Sequence, residues 1–328
     1  MKHTNLLIVT FVAVICGLYC SCTTSTSMEE LIFQSGFEEN CRVVPNTDVS
    51  GILTPGFETD KIIGADKTLA EKSDFDKDMD KNPDGGEFLL EYTGGDETKR
   101  FARIIPEPGN PDNKVLYFWL NDSWPASENQ VKARIQANIY GIRNPYKEFY
   151  QSIRVFLHDD FNALKKYPHK INWLTISEFW NNEWWFKGEP YGFRMTLGIG
   201  KPTAEESELN FILDAENAGQ KEVWRGKNTD FKVPIGKWFT MEYYIKEGNA
   251  ETGRFYLAIT PDGEKKQVVF DVRNFTHNTS DPSPNGISGY NPMKLYTSKE
   301  IVAFMKAQDK SLQIYWDDLK VWKNKQPE

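Results

Sequence analysis

The amino-acid sequence predicts an all-β protein folded as a two-sheet jelly-roll sandwich. About a dozen short runs with strand-like alternation follow one another along the chain, separated by Gly, Pro and Asn. Long helical patterns, internal repeats and an interdomain linker are not visible in the sequence. The 328 residues, of which 39% are hydrophobic and 26% charged, are enough for a large core. We therefore expect one β domain with two packed sheets.

The N-terminus resembles the export signal of a bacterial lipoprotein. A basic start precedes an apolar run from Leu6 to Leu18, which is too short to span a bilayer comfortably. The run ends in Leu-Tyr-Cys-Ser-Cys, which resembles a lipobox with Cys22 as the acylated residue. A soluble secreted protein cleaved nearby is the alternative. The predicted organisation is a signal peptide at 1–22, a tether at 23–30 and a single jelly-roll domain at 31–328, displayed on the outer membrane or cell surface.

Charge and cysteine content exclude two classes of protein. A formal net charge of −8 and a pI near 5.3 come without a basic stripe, so we expect no nucleic-acid partner. Cys16 and Cys20 would leave with the signal, and Cys41 would remain alone. Disulfides are therefore not expected to stabilise the exported domain.

The elements of the domain follow in chain order. The first strand is predicted in LIFQSGFEENCRVV after the tether, and the polar region from Asp48 to Gly86 is predicted as long loops that cover one side of a sheet. From there the strand-like runs continue to the C-terminus. One short helix is predicted after Ser298, a capping residue, with Ile301, Phe304 and Met305 on one side.

One strand, Val131 to Tyr140, has apolar residues at odd positions and polar residues at even positions. The polar set is Lys132, Arg134, Gln136, Asn138 and Tyr140. A solvated outer face explains this pattern, and so does a ligand-binding groove, because the planar groups of Arg, Gln and Asn suit sugar hydroxyls and carboxylates. The pattern leaves both interpretations open.

From about Val131 to Trp322 the chain resembles the concanavalin-A-like jelly rolls of polysaccharide lyases, in particular the heparin-lyase-I-like and alginate-lyase-like group. The segments that carry the resemblance are ARIQANIY, YQSIRVFLHDDF, IGKWFTMEYYIKEGNAETGRFYLAI and IYWDDLKVW. Such lyases cleave beside a uronic acid by β-elimination, which needs a group to neutralise the carboxylate, a base and an acid. The resemblance implies a catalytic set of Arg134, Gln136, Lys294 and Tyr296.

The strand that should carry the family's Gln-x-His pair reads Glu178-Phe179-Trp180 instead. Trp cannot exchange a proton at neutral pH, so it cannot perform the histidine's step. A Trp ring can stack on a pyranose while neighbouring polar groups bind its hydroxyls. We expect Glu178 and Trp180 to share a face with Leu174 and Ile176; packing of Trp180 in the core is the alternative. The predicted glycan-binding set is Arg134, Gln136, Asn138, Tyr140, Glu178, Trp180 and Trp184.

The sequence supports a metal site less strongly than it supports a glycan-binding site. The segment DKDMDKNPDGGE spaces its oxygens like a calcium loop, but Lys81 stands at the obligatory Gly position, which favours a solvated loop. The resemblance implies a structural calcium through Glu38 and Asp317 or Asp318. The sequence has no zinc-type cluster, phosphate loop or nucleophile elbow, and the predicted activity requires no cofactor.

These observations predict a lipid-anchored protein that binds polysaccharide along the concave sheet of a jelly roll and contacts the membrane through its anchor. The alternative is a polysaccharide lyase that acts on a uronate-containing glycan. A structural or adhesive surface protein without a glycan ligand is a third class.

Overall fold

The computed structural model describes residues 28–46, 57–79, 86–93, 95–127, 130–181 and 190–328. Within these ranges the chain forms eighteen strands, a π-helical turn at Phe75–Met79, a 3-10 helix at Asp159–Lys166 and the α-helix α1 at Lys299–Lys306. The strands are β1 (Glu30–Ser35), β2 (Arg42–Pro45), β3 (Phe57–Ile63), β4 (Glu87–Thr93), β5 (Arg100–Glu107), β6 (Asn110–Leu120), β7 (Trp124–Ser127), β8 (Gln130–Tyr140), β9 (Glu148–Leu157), β10 (Leu174–Asn181), β11 (Phe193–Gly200), β12 (Asn210–Asn217), β13 (Lys221–Lys232), β14 (Trp238–Lys246), β15 (Arg254–Pro261), β16 (Gln267–Arg273), β17 (Ile287–Ser298) and β18 (Leu312–Lys323).

The strands form two antiparallel sheets. The eight-stranded sheet has the order β16-β15-β14-β9-β18-β6-β5, with β1 paired to β18. The ten-stranded sheet has the order β13-β12-β11-β10-β17-β8-β4-β3-β2, with β7 paired to β8. This arrangement confirms the predicted all-β jelly-roll sandwich with one short helix near the C-terminus.

The core lies between the two sheets and is rich in aromatic rings. Phe179 of the ten-stranded sheet stacks on Tyr290, with ring centroids 5.7 Å apart, and meets Tyr243 of the eight-stranded sheet at 5.5 Å. These side chains are excluded from water. Burial of such rings is the largest favourable contribution to the stability of the sandwich.

The central strands of both sheets come from the end of the chain. β17 lies between β8 and β10 in one sheet, and β18 lies between β6 and β9 in the other. The face of the ten-stranded sheet that points away from the core is therefore assembled from strands that are far apart in sequence.

Two predictions about local structure have different outcomes. The region 48–86 is predicted as loops, but Phe57–Ile63 form β3, which pairs with β2 and β4 at the edge of the ten-stranded sheet, and Phe75–Met79 form a π-helical turn that buries Phe75 in the core. The prediction is wrong for these two segments. The helix after Ser298 is confirmed as α1, which buries Ile301 and Met305. Cys41 is buried with a free thiol.

No helix in the described part of the chain is long and apolar enough to cross a membrane.

The eight-stranded sheet carries a row of aromatic side chains on the face that points away from the core. Trp119 stacks on Phe101 with ring centroids 5.1 Å apart, and Tyr117 stacks on Tyr315 at 4.7 Å. Such cross-strand pairs stabilise a sheet by interactions between directly opposite residues. Because Trp119 is a half-buried indole on the opposite side of the sandwich, it is a useful reference for the indole of Trp180.

Candidate functional site

The polar residues of β8 lie on the outer face of the ten-stranded sheet. Ala133, Ile135, Ala137 and Ile139 belong to the core, so the intervening side chains point the other way. These are Arg134, Gln136, Asn138 and Tyr140. The alternation in the sequence therefore places these four residues on one surface.

β17 brings the two other predicted catalytic residues beside β8. Tyr296 is the cross-strand partner of Arg134, and Lys294 is the partner of Gln136. Met293 and Leu295 point into the core. The four residues that the resemblance implies as catalytic thus form two directly opposed pairs on neighbouring strands.

β10 lies on the other side of β17 and adds two side chains to the surface, but the sequence analysis did not predict their orientation relative to the core. Leu174, Ile176 and Phe179 are core residues, whereas Glu178 and Trp180 lie on the outer face. The predicted shared face with Leu174 and Ile176 is wrong, because the register with β11 shifts between Thr175 and Ser177. One extra residue in β10 turns every later side chain to the opposite side.

Together these residues form a cluster that we call the polar face. It includes three further residues that the sequence analysis missed: Glu91 on β4, Arg194 on β11 and Asn291 on β17. Seven members are buried, namely Glu91, Gln136, Asn138, Glu178, Trp180, Asn291 and Lys294. Arg134, Tyr140, Arg194 and Tyr296 are half-buried and form its more accessible part.

Glu91 is the hydrogen-bonding centre of one half of the polar face. Its Oε1 accepts from Nη2 of Arg134 at 2.5 Å. Its Oε2 accepts from Nδ2 of Asn138 at 2.9 Å and from the hydroxyl of Tyr140 at 2.8 Å. The carboxylate therefore binds three of the four polar side chains of β8. Burial and the adjacent Glu91 raise the pKa of Tyr140 well above its usual value, so the phenol stays protonated.

Glu178 is the centre of the other half. Its Oε2 accepts a hydrogen bond from Nζ of Lys294, and its Oε1 accepts from Nη1 of Arg194 at 3.1 Å. The guanidinium of Arg194 also donates to Oε2 of Glu216 at 2.8 Å. Nζ of Lys294 donates to Oδ1 of Asn291 at 3.0 Å, and Asn291 donates to Asn138, which joins the two halves.

Burial and charge shift the pKa values in this half. Burial alone would raise the pKa of Glu178, but Lys294 and Arg194 outweigh it and lower the pKa to about 2. Burial lowers the pKa of Lys294 to about 8, against the opposing effect of Glu178. Glu178 is therefore ionised at neutral pH, while Lys294 loses its proton more easily than an ordinary lysine.

Trp180 stacks on Tyr140 with ring centroids 6.0 Å apart and an interplanar angle of 17°. The residue opposite Trp180 on β17 is Gly289, where a Cβ atom would lie 3.4 Å from Cε3 of the indole. The missing side chain at this glycine leaves room for the indole to lie against the sheet. Nζ of Lys294 lies 5.8 Å from the Trp180 ring, within cation–π range.

Within the described part of the chain, the buried polar atoms of the polar face that make no hydrogen bond include Oε1 of Gln136 and Nε1 of Trp180. Gln136 is 2% exposed and Trp180 is 7% exposed. An unsatisfied buried polar atom costs about 1–3 kcal/mol, and such atoms also occur away from the polar face, at Nε1 of Trp316 and in the amide of Gln151.

Tyr296 lies at the other end of the polar face. Its ring meets Trp173 edge-on at 4.8 Å, and the guanidinium of Arg134 lies 5.6 Å from its centroid. Burial raises the pKa of Tyr296 to about 12, although Arg134 opposes the shift. The phenol can therefore donate a proton at neutral pH but is almost never a phenolate.

The three histidines that the structure describes contact other parts of the molecule. His158 caps the 3-10 helix by accepting from the backbone N–H of Asp160. His169 packs on Tyr167, and His277 packs on Phe275. Trp184 and Cys22, two other residues of the predictions, lie outside the described residues.

Two of the carboxylates predicted to hold calcium, those of Glu38 and Asp317, are engaged in protein contacts. Oε1 of Glu38 accepts the backbone N–H of Lys114 at 2.8 Å, and Oδ2 of Asp317 accepts from Asn113 at 3.0 Å. Oδ1 of Asp317 accepts the backbone N–H of Asp318. No group of three or more His, Cys, Asp or Glu side chains suited to a metal occurs among the described residues. The calcium stays a prediction.

Comparisons with known proteins add the following. No protein-family model matches the chain. No curated protein sequence matches it either. Among solved structures, an alginate lyase from Aplysia kurodai is 11% identical over 67% of this chain and 86% of its own, with a TM-score of 0.43. The alginate lyase Aly36B is 15% identical over 72% and 87%, also with a TM-score of 0.43.

A non-specific endo-β-1,3(4)-glucanase, SCLam, is 13% identical over 90% of this chain and 92% of its own, with a TM-score of 0.40. With TM-scores below 0.5, none of these similarities bears on what the polar face binds.

Proposed function

We propose that the polar face binds a polysaccharide whose chain lies across β8, β17 and β10. The observation that carries this proposal is the pair of unsatisfied polar atoms, Oε1 of Gln136 and Nε1 of Trp180, on a surface that also contains the stacked rings of Trp180 and Tyr140. A sugar hydroxyl is both donor and acceptor, so it suits an orphan acceptor and an orphan donor equally well.

The composition of the polar face supports the same ligand class. Glycan sites combine aromatic rings with a few convergent polar groups that fix orientation. Here the rings of Tyr140, Trp180 and Tyr296 alternate with carboxylate, amide and cationic side chains that are held in place by mutual hydrogen bonds. Because the side chains are already ordered, a ligand would lose little affinity to the cost of immobilising them.

Substitution of Gln136 by leucine tests this proposal. Gln136→Leu removes the orphan Oε1 and the hydrogen bond that Nε2 donates to Asn138 at 2.9 Å, with little change in side-chain volume. We expect the free energy of unfolding to change by less than about 1 kcal/mol, because the removal of an unsatisfied acceptor offsets the lost hydrogen bond. Affinity for the polysaccharide should fall about tenfold.

Affinity electrophoresis through gels that contain single polysaccharides measures retention, and urea denaturation measures stability. Equal retention of the variant and the parent would show that Gln136 does not contribute to polysaccharide binding. A blank across neutral and anionic polymers would contradict glycan binding as a whole.

Elimination of a uronate-containing polymer is the second candidate function. Two observations favour it: Arg134 and Tyr296 are directly opposed, and the buried Lys294 lies 5.1 Å from the Tyr296 ring with a pKa lowered to about 8. A lysine with such a pKa is suited to proton transfer near neutral pH. Ultraviolet absorbance of an unsaturated uronate, appearing with the parent chain and abolished in Tyr296→Phe, would establish a lyase.

We also propose that the chain is held at the outer membrane or cell surface by a lipid on Cys22. The support is the apolar run and the Ser-Cys end of the N-terminal segment. A single acyl chain binds membranes reversibly, so stable anchoring requires more than one chain on this residue. Incorporation of labelled fatty acid into the mature protein, lost in Cys22→Ser, is the expected result; an unlabelled mature protein would contradict it.

A further inference from the structure

The charges of the polar face restrict the kind of glycan that fits it. Two carboxylates of the polar face, Glu91 and Glu178, and the adjacent carboxylate of Glu216 alternate with three cations. The cations are Arg134, Lys294 and Arg194. Each cation has a carboxylate within salt-bridge distance. The formal charges of these six groups therefore sum to zero.

Glu91 has a particular position in this arrangement. Its carboxylate accepts from Arg134, Asn138 and Tyr140, which are three of the side chains that a bound uronate would need. Glu91 comes from β4, the neighbour of β8 on the side away from β17, and only 5% of its surface is exposed. A carboxylate of the protein itself thus occupies the hydrogen-bonding positions that a carboxylate of the ligand would take.

We propose that the polar face selects uncharged polysaccharides and excludes polyuronates, because Glu91 acts as an internal carboxylate that neutralises Arg134. This inference rests on the proposed function. A uronate placed next to Arg134 would also lie next to Glu91, and repulsion between like charges is strong where water is excluded. The unsatisfied Gln136 Oε1 and Trp180 Nε1 are neutral groups that can bind hydroxyls without a charged partner.

The experiment compares the parent chain and Glu91→Gln on two panels of gels. One panel contains uncharged polymers such as β-glucan, xylan and mannan, and the other contains alginate, glucuronan and pectate. We expect the parent to be retained by at least one uncharged polymer and by no polyuronate. Glu91→Gln keeps the shape of the side chain but removes the negative charge that pairs with Arg134, so the variant should bind a polyuronate at least about tenfold more tightly than the parent does.

The increased affinity of Glu91→Gln for polyuronates should have two properties that a change in folding would not produce. It should weaken as salt is added, because it depends on the attraction between Arg134 and the carboxylates of the polyuronate. It should also disappear in the double variant Glu91→Gln/Arg134→Gln. Glu87→Gln is the matched control, since Glu87 lies four residues away on the same strand and pairs with Lys61 at 3.3 Å outside the polar face; it should behave like the parent.

The outcomes separate this inference from the proposed function. Retention of the parent by a polyuronate would overturn the selectivity and leave glycan binding intact. No gain of polyuronate affinity in a folded Glu91→Gln would also overturn it. Absence of retention on both panels would overturn the proposed function. If Glu91→Gln fails to fold, the comparison of the two panels with the parent chain still decides the question.

Discussion

Glu178→Gln is expected to lower the free energy of unfolding by about 3–5 kcal/mol, the loss typical of breaking a buried ion pair from one side. The substitution leaves Lys294 and Arg194 facing a neutral amide. Lys294 is 2% exposed, so water cannot replace the lost carboxylate. Urea denaturation at neutral pH, followed by intrinsic fluorescence, measures the change.

The double variant Glu178→Gln/Lys294→Met distinguishes two contributions to the free energy of unfolding: the loss caused by an unpaired buried charge and the net stabilisation by the ion pair. Replacement of both charges should restore most of the lost stability, because a buried pair is often worth no more than neutral groups of similar size. Glu216→Gln is the control. It removes a carboxylate from the same Arg194, but its side chain is 19% exposed, so the loss should stay below about 1 kcal/mol. A loss of similar size in both single variants would contradict the special role of Glu178.

The same residue gives a dependence of stability on pH. Because the folded state lowers the pKa of Glu178 from 4.5 to about 2, its contribution to stability is present above pH 4.5 and is lost as the pH falls towards 2. We expect this part of the acid loss to be absent from Glu178→Gln. Urea titrations at several acidic pH values should therefore give a shallower curve for the variant than for the parent.

Trp180→Ala is expected to raise the dissociation constant for the polysaccharide at least about thirtyfold, equivalent to ~2 kcal/mol, as for a central aromatic residue of a binding site. The change removes both the ring that stacks on Tyr140 and the donor Nε1. It also removes a buried indole, so some loss of stability will accompany it. Affinity electrophoresis measures binding, and thermal unfolding shows that the variant is folded at the assay temperature.

Trp119→Ala is the matched control for this experiment. Trp119 is a half-buried indole stacked on Phe101, but it lies on the outer face of the opposite sheet. Its loss should cost stability and leave retention unchanged. If both variants bind like the parent, the role assigned to Trp180 is wrong. If both lose binding, the effect comes from destabilisation and not from contact with the ligand.

Local sequence patterns were sufficient for some parts of the molecule. The strict alternation in β8 predicted which side chains point away from the core, because a strand of regular pleat turns every second residue to the same side. The capping position of Ser298 predicted the start of α1. Both features depend on residues that are close together in the chain.

Other parts could not be predicted because they depend on distant strands. The bulge in β10 arises from its pairing with β11 and β17, and nothing in Leu-Thr-Ile-Ser-Glu-Phe-Trp-Asn shows where the register shifts. Glu91 reaches Arg134 and Tyr140 only because β4 pairs with β8. The alternation of Glu91 with Leu90 and Tyr92 was the available signal, but it is also typical of an ordinary solvated face.

The position of β17 and β18 in the centre of the two sheets has a consequence for biosynthesis. Residues 287–323 are translated after β6, β8, β9 and β10, so β8 and β10, and likewise β6 and β9, lack their shared neighbour until β17 and β18 have been made. The unpaired backbone groups of an open sheet edge can pair with other chains. Such nascent chains therefore depend on chaperones or rapid completion to avoid aggregation. A stop codon before β17 would therefore yield a polypeptide that lacks a central strand in each sheet, and cellular proteases would degrade it.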